Sequence, residues 1–509
     1  MRNRKYYFLL ALSMAVSSLL YAQEKNTQAY QAQYRPQVHF SPAQHWMNDP
    51  NGMVYFNHTY HLFFQYYPND IIWGPMHWGH AVSKDLIHWK ELPIALYPDS
   101  LGYIFSGSAV VDSNNTSGFG KNGQIPLIAI FTHHDPKREA EKRDDFENQS
   151  LAFSLDGGAT WTKYTGNPVL KNPGIRDFRD PKVMWYAPEK KWIMTLATQD
   201  RISFYSAPDL KNWKKESEFG IKAGAHGGVW ECPDLFALKM SGKTYWVLVV
   251  NLNPGGPNGG SATQYFIGDF DGSKFIPIDN RTKWLDYGPD EYAGITWSNT
   301  GERKIFLGWM SNWQYANQVP TQAWRNATTI PRELSLQLSK GEILLASKPV
   351  PELKNIAEKP IALKQRLVNH SLDLSLYTNK LGSRYILKLT PRTLKDYCLR
   401  LSNTKGEELL IGYDPVKDQY YIDRTRAGKL DFQKNFSGRF TAPRLTLAKN
   451  SDINIVVDKS SVELFADGGL TTMTAIYFPT EDFNNLAIKT SGQLTLINLS
   501  ISGLNPIWK

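Results

Sequence analysis

The chain has 509 residues, too many for one ordinary domain. Its 16 Trp, 26 Tyr, 37 Gly and 29 Pro suit short strands and tight turns and exclude a simple helical bundle. The formal charge of +9 includes Arg2, Arg4 and Lys5 at the extreme N-terminus, and no Lys/Arg-rich run follows them, so nucleic-acid binding is not expected.

The first predicted element is a leader. A basic start precedes an apolar stretch from Tyr6 to Leu20, and Tyr21-Ala22-Gln23 supplies a small residue for cleavage, the layout of a signal peptide over residues 1–22. The stretch is too short, and too diluted by Ser13, Ser17 and Ser18, to span a membrane. No Cys follows it to take a lipid, so the mature chain is expected in the periplasm or outside the cell. Only Cys232 and Cys398 exist, far apart, which argues against a disulfide framework.

Residues 30–347 alternate strands, hairpins and turns with almost no helical period. A turn-forming Asp with an aromatic four or five residues on recurs four times: Asp85 to Trp89, Asp156 to Trp161, Asp209 to Trp213 and Asp271 to Phe275. The spacing of roughly 50–70 residues fits a repeated four-stranded unit, and five units fit, starting near Asp49, Phe105, Asp180, Glu231 and Asp290. The prediction is an all-β fold: a five-bladed β-propeller over 30–347, followed by a β-sandwich over 355–509. The change falls at Pro349-Val350-Pro351, after which Trp nearly vanishes and strands such as Leu372–Tyr377, Arg384–Thr390, Leu486–Lys489 and Leu494–Ile501 are expected.

A second repeat carries chemistry. Asp49-Pro50, Asp180-Pro181 and Glu231-Cys232-Pro233 each precede a hairpin, turning near Asn57-His58, Pro188-Glu189 and Ser241-Gly242. A lone Asp-Pro is ordinarily a turn initiator. Three acids opening three blades at one repeat position are instead expected to converge on the axial channel. Carboxyls gathered there suit glycoside hydrolysis, in which one attacks and another donates a proton. Cys232 has no adjacent His to activate it and reads as packing. His133-His134 should point to opposite sides of an extended segment, with no third metal ligand evident.

These motifs resemble the β-fructosidases of glycoside hydrolase family 32. Trp46-Met47-Asn48-Asp49-Pro50-Asn51-Gly52, Arg179-Asp180-Pro181 and Trp230-Glu231-Cys232-Pro233-Asp234 are similar to its three signatures, in order. Phe63–Tyr66, Trp73–Ala81, Phe105–Ala109 and Asp290–Ala293 resemble further family blocks, with Glu291 where the family usually has an aromatic. The resemblance implies Asp49 as nucleophile, Glu231 as acid/base and Asp180 as transition-state stabiliser. It implies sugar contacts from Asn48, Gln65, Trp73, Ser108, Arg179 and Trp309, and neither metal nor organic cofactor. The implied activity is cleavage of β-fructofuranosyl linkages in levan, inulin or sucrose, with fructose released from chain ends. An endo-levanase, a fructosyltransferase and a non-catalytic fructan-binding protein are the competing readings.

Overall fold

The computed structural model describes residues 30–508 apart from residue 364; the leader read in residues 1–22 lies outside them. Five sheets of antiparallel hairpins follow one another from His45 to Pro349. Their innermost strands are His45–Phe56, Tyr103–Val111, Phe178–Tyr186, Val229–Met240 and Tyr292–Thr296. The ring closes where Trp324–Arg325 pairs in parallel with His45-Trp46 on the first blade.

The recurring Asp turns join the third and fourth strands of blades one to four. Asp85, Asp156, Asp209 and Asp271 each accept hydrogen bonds through Oδ1 from backbone N–H groups two to four residues ahead. The first hairpin turns on Asn57 and His58 at φ 46° and 56°, the left-handed pair that a tight two-residue loop demands. Between blades lie apolar layers such as Ile193, Phe204, Leu248 and Phe266.

All five innermost strands carry the same irregularity. Three residues advance on the inner strand for every two on its neighbour, after Met47, Ile104, Arg179, Glu231 and Tyr292. Such a bulge breaks the period-two alternation and re-aims side chains. The three acids therefore do not occupy one repeat position, as expected from the sequence, but successive positions of the same bulge. Glu231 is the last residue paired before it, Asp180 the next, and Asp49 the one after.

The C-terminal strands form a sandwich-like sheet around a core that includes Leu389, Leu464 and Ile488. Where two closing strands were expected, one 19-residue strand, Asn485–Gly503, runs through both layers. Its first part pairs with Tyr397–Ser402 and its second with Tyr385–Pro391, so eleven strands share one hydrogen-bonded network. The expected strand Leu372–Tyr377 also differs. Pairing stops at Asp373, whose carboxylate accepts from the Ser375 N–H (2.9 Å) and hydroxyl (2.6 Å), and a short helix, Ser375–Leu381, follows. That local side-chain-to-backbone turn competes successfully with continuation of the strand.

The two parts meet through buried charge. Arg332 of the fifth blade contacts Asp286 and Glu463, and His39 bridges Asp458 (2.8 Å) and Glu463 (2.9 Å). Arg424 of the sandwich donates to Asp290, which also accepts from the Tyr315 hydroxyl.

Candidate active site

At one end of the propeller axis lies a cavity of about 320 Å³, with Asp49, Asp180 and Glu231 all in its wall. Asp49 accepts from Asn48 Nδ2 (2.9 Å) through one oxygen and from Ser106 Oγ (2.7 Å) through the other. The Trp46 indole N–H in turn donates to Asn48 Oδ1 (2.7 Å), which fixes the amide so that its NH₂ faces Asp49.

Asp180 sits deeper, at φ 64°, a left-handed conformation that a non-glycine residue adopts only where its surroundings enforce it. The Cys232 backbone N–H donates to its Oδ2 (3.0 Å). Burial pushes Asp180 up, Arg179 pulls it back, and the charges of Glu231 and Asp49 push again, to about 8. Crowded carboxyls cannot all ionise, so this set holds a proton near neutral pH.

Glu231 is raised too, by burial first; Arg179 and the Tyr292 hydroxyl oppose that rise and Asp49 adds to it. Arg179 donates to its Oε1 from Nε (3.2 Å) and an NH₂ (3.0 Å), while the Tyr292 hydroxyl donates to Oε2. Arg179 also reaches Glu147 (3.1 Å) and Asp177 (2.7 Å). Burial alone would raise Glu147, but Arg179 and His134 hold it below the usual range. The Cys232 thiol lies 3.5 Å from Asp49 and 3.6 Å from Asp180, and burial with these carboxylates drives it well up, so it is a neutral S–H.

Asn48, Gln65, Trp73 and Arg179 line the cavity. Gln65 Nε2 is buried without a hydrogen-bond partner among the described residues, a donor left for a ligand. Trp73 is 39 % exposed at the rim, edge-on to Phe105. Ser108 and Trp309 do not belong to the cavity. The Ser108 hydroxyl is buried, donating to the Pro181 carbonyl (2.9 Å) and accepting from the Val183 N–H (3.0 Å), which stitches blade two to blade three. Trp309 is buried behind Trp313, its ring centroid 4.9 Å away, and Trp313 forms the wall instead.

The sequence reading missed Ser106, His134, Glu147, Asp177, Tyr292 and Trp313. His133 and His134 do diverge: His133 turns to Ser150 and Asp99, while His134 lies flat on Phe105 (4.2 Å) beside Glu139 and Glu147. Glu291 stands outside the cavity, buried beside Gly294 and Gly308, with neither oxygen hydrogen-bonded among the described residues. Burial, with the Asp286 charge, raises it to about 8.

Three inward carboxyls, a shared guanidinium and flanking indoles on a five-bladed propeller define a sugar-cleaving hydrolase class. Residues 39–349 match the glycosyl hydrolases family 32 N-terminal domain and residues 352–503 the family 32 C-terminal domain. The chain belongs to this family and is a β-fructosidase. It is 44% identical to a levanase of Bacillus subtilis (strain 168), over 98% of this chain and 74% of that protein. It is 40% identical to an extracellular exo-inulinase of Aspergillus ficuum, over 94% of this chain and 96% of that one. The crystal structure of an exo-inulinase from Aspergillus awamori superposes with a TM-score of 0.85 at 36% identity, covering 94% of this chain and all of that one. A β-fructofuranosidase from Schwanniomyces occidentalis complexed with fructosyl-erythritol gives 0.85 at 33%, covering 94% and 98%.

Proposed function

We propose that the enzyme is an exported, retaining exo-hydrolase that removes terminal fructose from β-linked fructans, levan in particular. The observation that carries the reading is the convergence of Asp49, Asp180 and Glu231 in one cavity, with a protonated carboxyl available among them. In the first step the Asp49 carboxylate attacks the anomeric carbon of a fructofuranosyl unit. The bond to the leaving oxygen breaks as Glu231 gives that oxygen its proton. In the second step Glu231 takes a proton from water, whose oxygen displaces Asp49 and releases fructose. Asp180 and Arg179 hold sugar hydroxyls as positive charge develops on the ring.

The names of the levanase and exo-inulinase relatives support fructan as substrate, and the extracellular relatives support export. No helix among the described residues is long and apolar enough to cross a membrane. Product analysis on levan, inulin and sucrose tests the reading. Free fructose from the first time point is expected; a ladder of oligosaccharides overturns exo attack, and transfer products overturn hydrolysis.

A further inference from the structure

The strands that bring the acids to one end of the axis continue to a second cavity of about 310 Å³ at the other. Along Phe178–Tyr186, Asp180 faces the first cavity, and Lys182 and Trp185 line the second. Between them the channel narrows to a void of about 10 Å³, walled by Pro50, Gly107, Pro181 and Pro233 among others. A void of that size holds at most a single water, so the two cavities are separate sites.

The polar groups of the second cavity are incompletely matched. Asp234 is 1% exposed. Its Oδ2 accepts from the Thr296 N–H (2.6 Å) and hydroxyl (2.7 Å), and Lys182 Nζ lies 3.3 Å away. Its Oδ1 has no hydrogen-bond partner among the described residues. Lys182 also donates to the Thr296 carbonyl, Lys304 is a second ammonium in the wall, and the half-buried Trp185 and Trp246 and the exposed Asn299 line the same cavity.

This combination discriminates between ligand classes. A simple anion meets the open carboxylate oxygen, and a simple cation meets two ammonium groups. A hydroxyl group satisfies both, because it donates to Asp234 Oδ1 and accepts from a lysine, and indole faces suit the C–H surfaces of a sugar ring. We infer that this cavity is a second saccharide-binding site, which holds a non-reacting sugar unit of the polymer at the propeller face opposite the catalytic acids. That the sugar is fructose rests on the proposed function; the site itself does not.

The test titrates full-length Glu231→Gln enzyme calorimetrically with short inulin-type and levan-type oligosaccharides. Two sites are expected. Trp185→Ala and Lys304→Ala should each weaken one of them by about tenfold or more and leave the other unchanged. The same two substitutions in the active enzyme should raise KM on polymer and leave turnover of a short oligosaccharide unaltered. A single site, a second site indifferent to both substitutions, or displacement of the sugar by inorganic phosphate overturns the inference. Fructose release by the unsubstituted enzyme is followed in parallel. Release with a single binding site sinks the second site alone, whereas two sites without release sink the proposed function alone.

Discussion

At the propeller–sandwich junction Glu463 faces both Arg332 and His39, and Asp458 faces His39 and two backbone N–H groups of the segment before the first blade. In the pocket Glu231, Glu147 and Asp177 share the single guanidinium of Arg179, and neither Asp49 nor Asp180 has an ion-pair partner among the described residues. Burial works against ionisation in both places, yet Asp458 and Glu463 lie below their ordinary values whereas Asp180 and Glu231 lie above. At Asp458 and Glu463 the cations and donors outweigh burial, and at Asp180 and Glu231, as at Asp290 of the junction, they do not. A junction with enough of them stores stability, and a pocket with too few stores a transferable proton.

Four substitutions press on this contrast. Glu231→Gln should lower kcat by about 10²–10⁴-fold in steady-state assays and leave the thermal midpoint unchanged or raised, since it removes one of several crowded like charges. A large loss of stability would contradict the contrast. Glu463→Gln should do the reverse. It removes one of the two carboxylates that pair with the buried Arg332 guanidinium, leaving Asp286, and costs about 3 kcal/mol in denaturant unfolding, with turnover per folded molecule preserved.

His39 reads the junction through pH. Burial alone would lower it, but its bonds to Asp458 and Glu463 prevail and raise it to about 9. A histidine raised above its unfolded value stabilises fully below that value, about 6.5, and the contribution disappears as pH climbs through about 9. Melting temperature should therefore fall across that window, and His39→Gln should flatten the slope. Tyr292→Phe is the smallest perturbation. The lost hydroxyl donor no longer lowers Glu231, so the alkaline limb of kcat/KM should move up. Movement downward would show that Tyr292 acts otherwise.

The sequence disclosed the blades because turn chemistry is local. Asp85, Asp209 and Asp271 cap their own turns, and Asn57-His58 supply left-handed residues where a hairpin needs them. It disclosed the three acids because each lies one or two residues before a proline at a blade opening. The family resemblance implied Ser108 as a sugar contact, but across the bulge Ser106 reaches Asp49 and Ser108 is turned toward the next blade. Trp309 and Trp313 lie four residues apart in one aromatic stack, and only the fold decides which faces the cavity. Glu147 and Asp177 belong to a strand and a loop with no distinguishing pattern of their own, and Tyr292 lies in a block whose resemblance gave it no role. Glu147 and Tyr292 take their roles from Arg179 and Glu231, which are remote from them in sequence, whereas Asp177 lies two residues before Arg179.

The strand that bears Asp49 receives its second neighbour, Trp324–Arg325, roughly 280 residues further along the chain. During synthesis Asp49 thus emerges long before the segment that pairs beside its strand. A chain lacking the fifth blade keeps the strand of Asp49 without this parallel pairing and the ring unclosed.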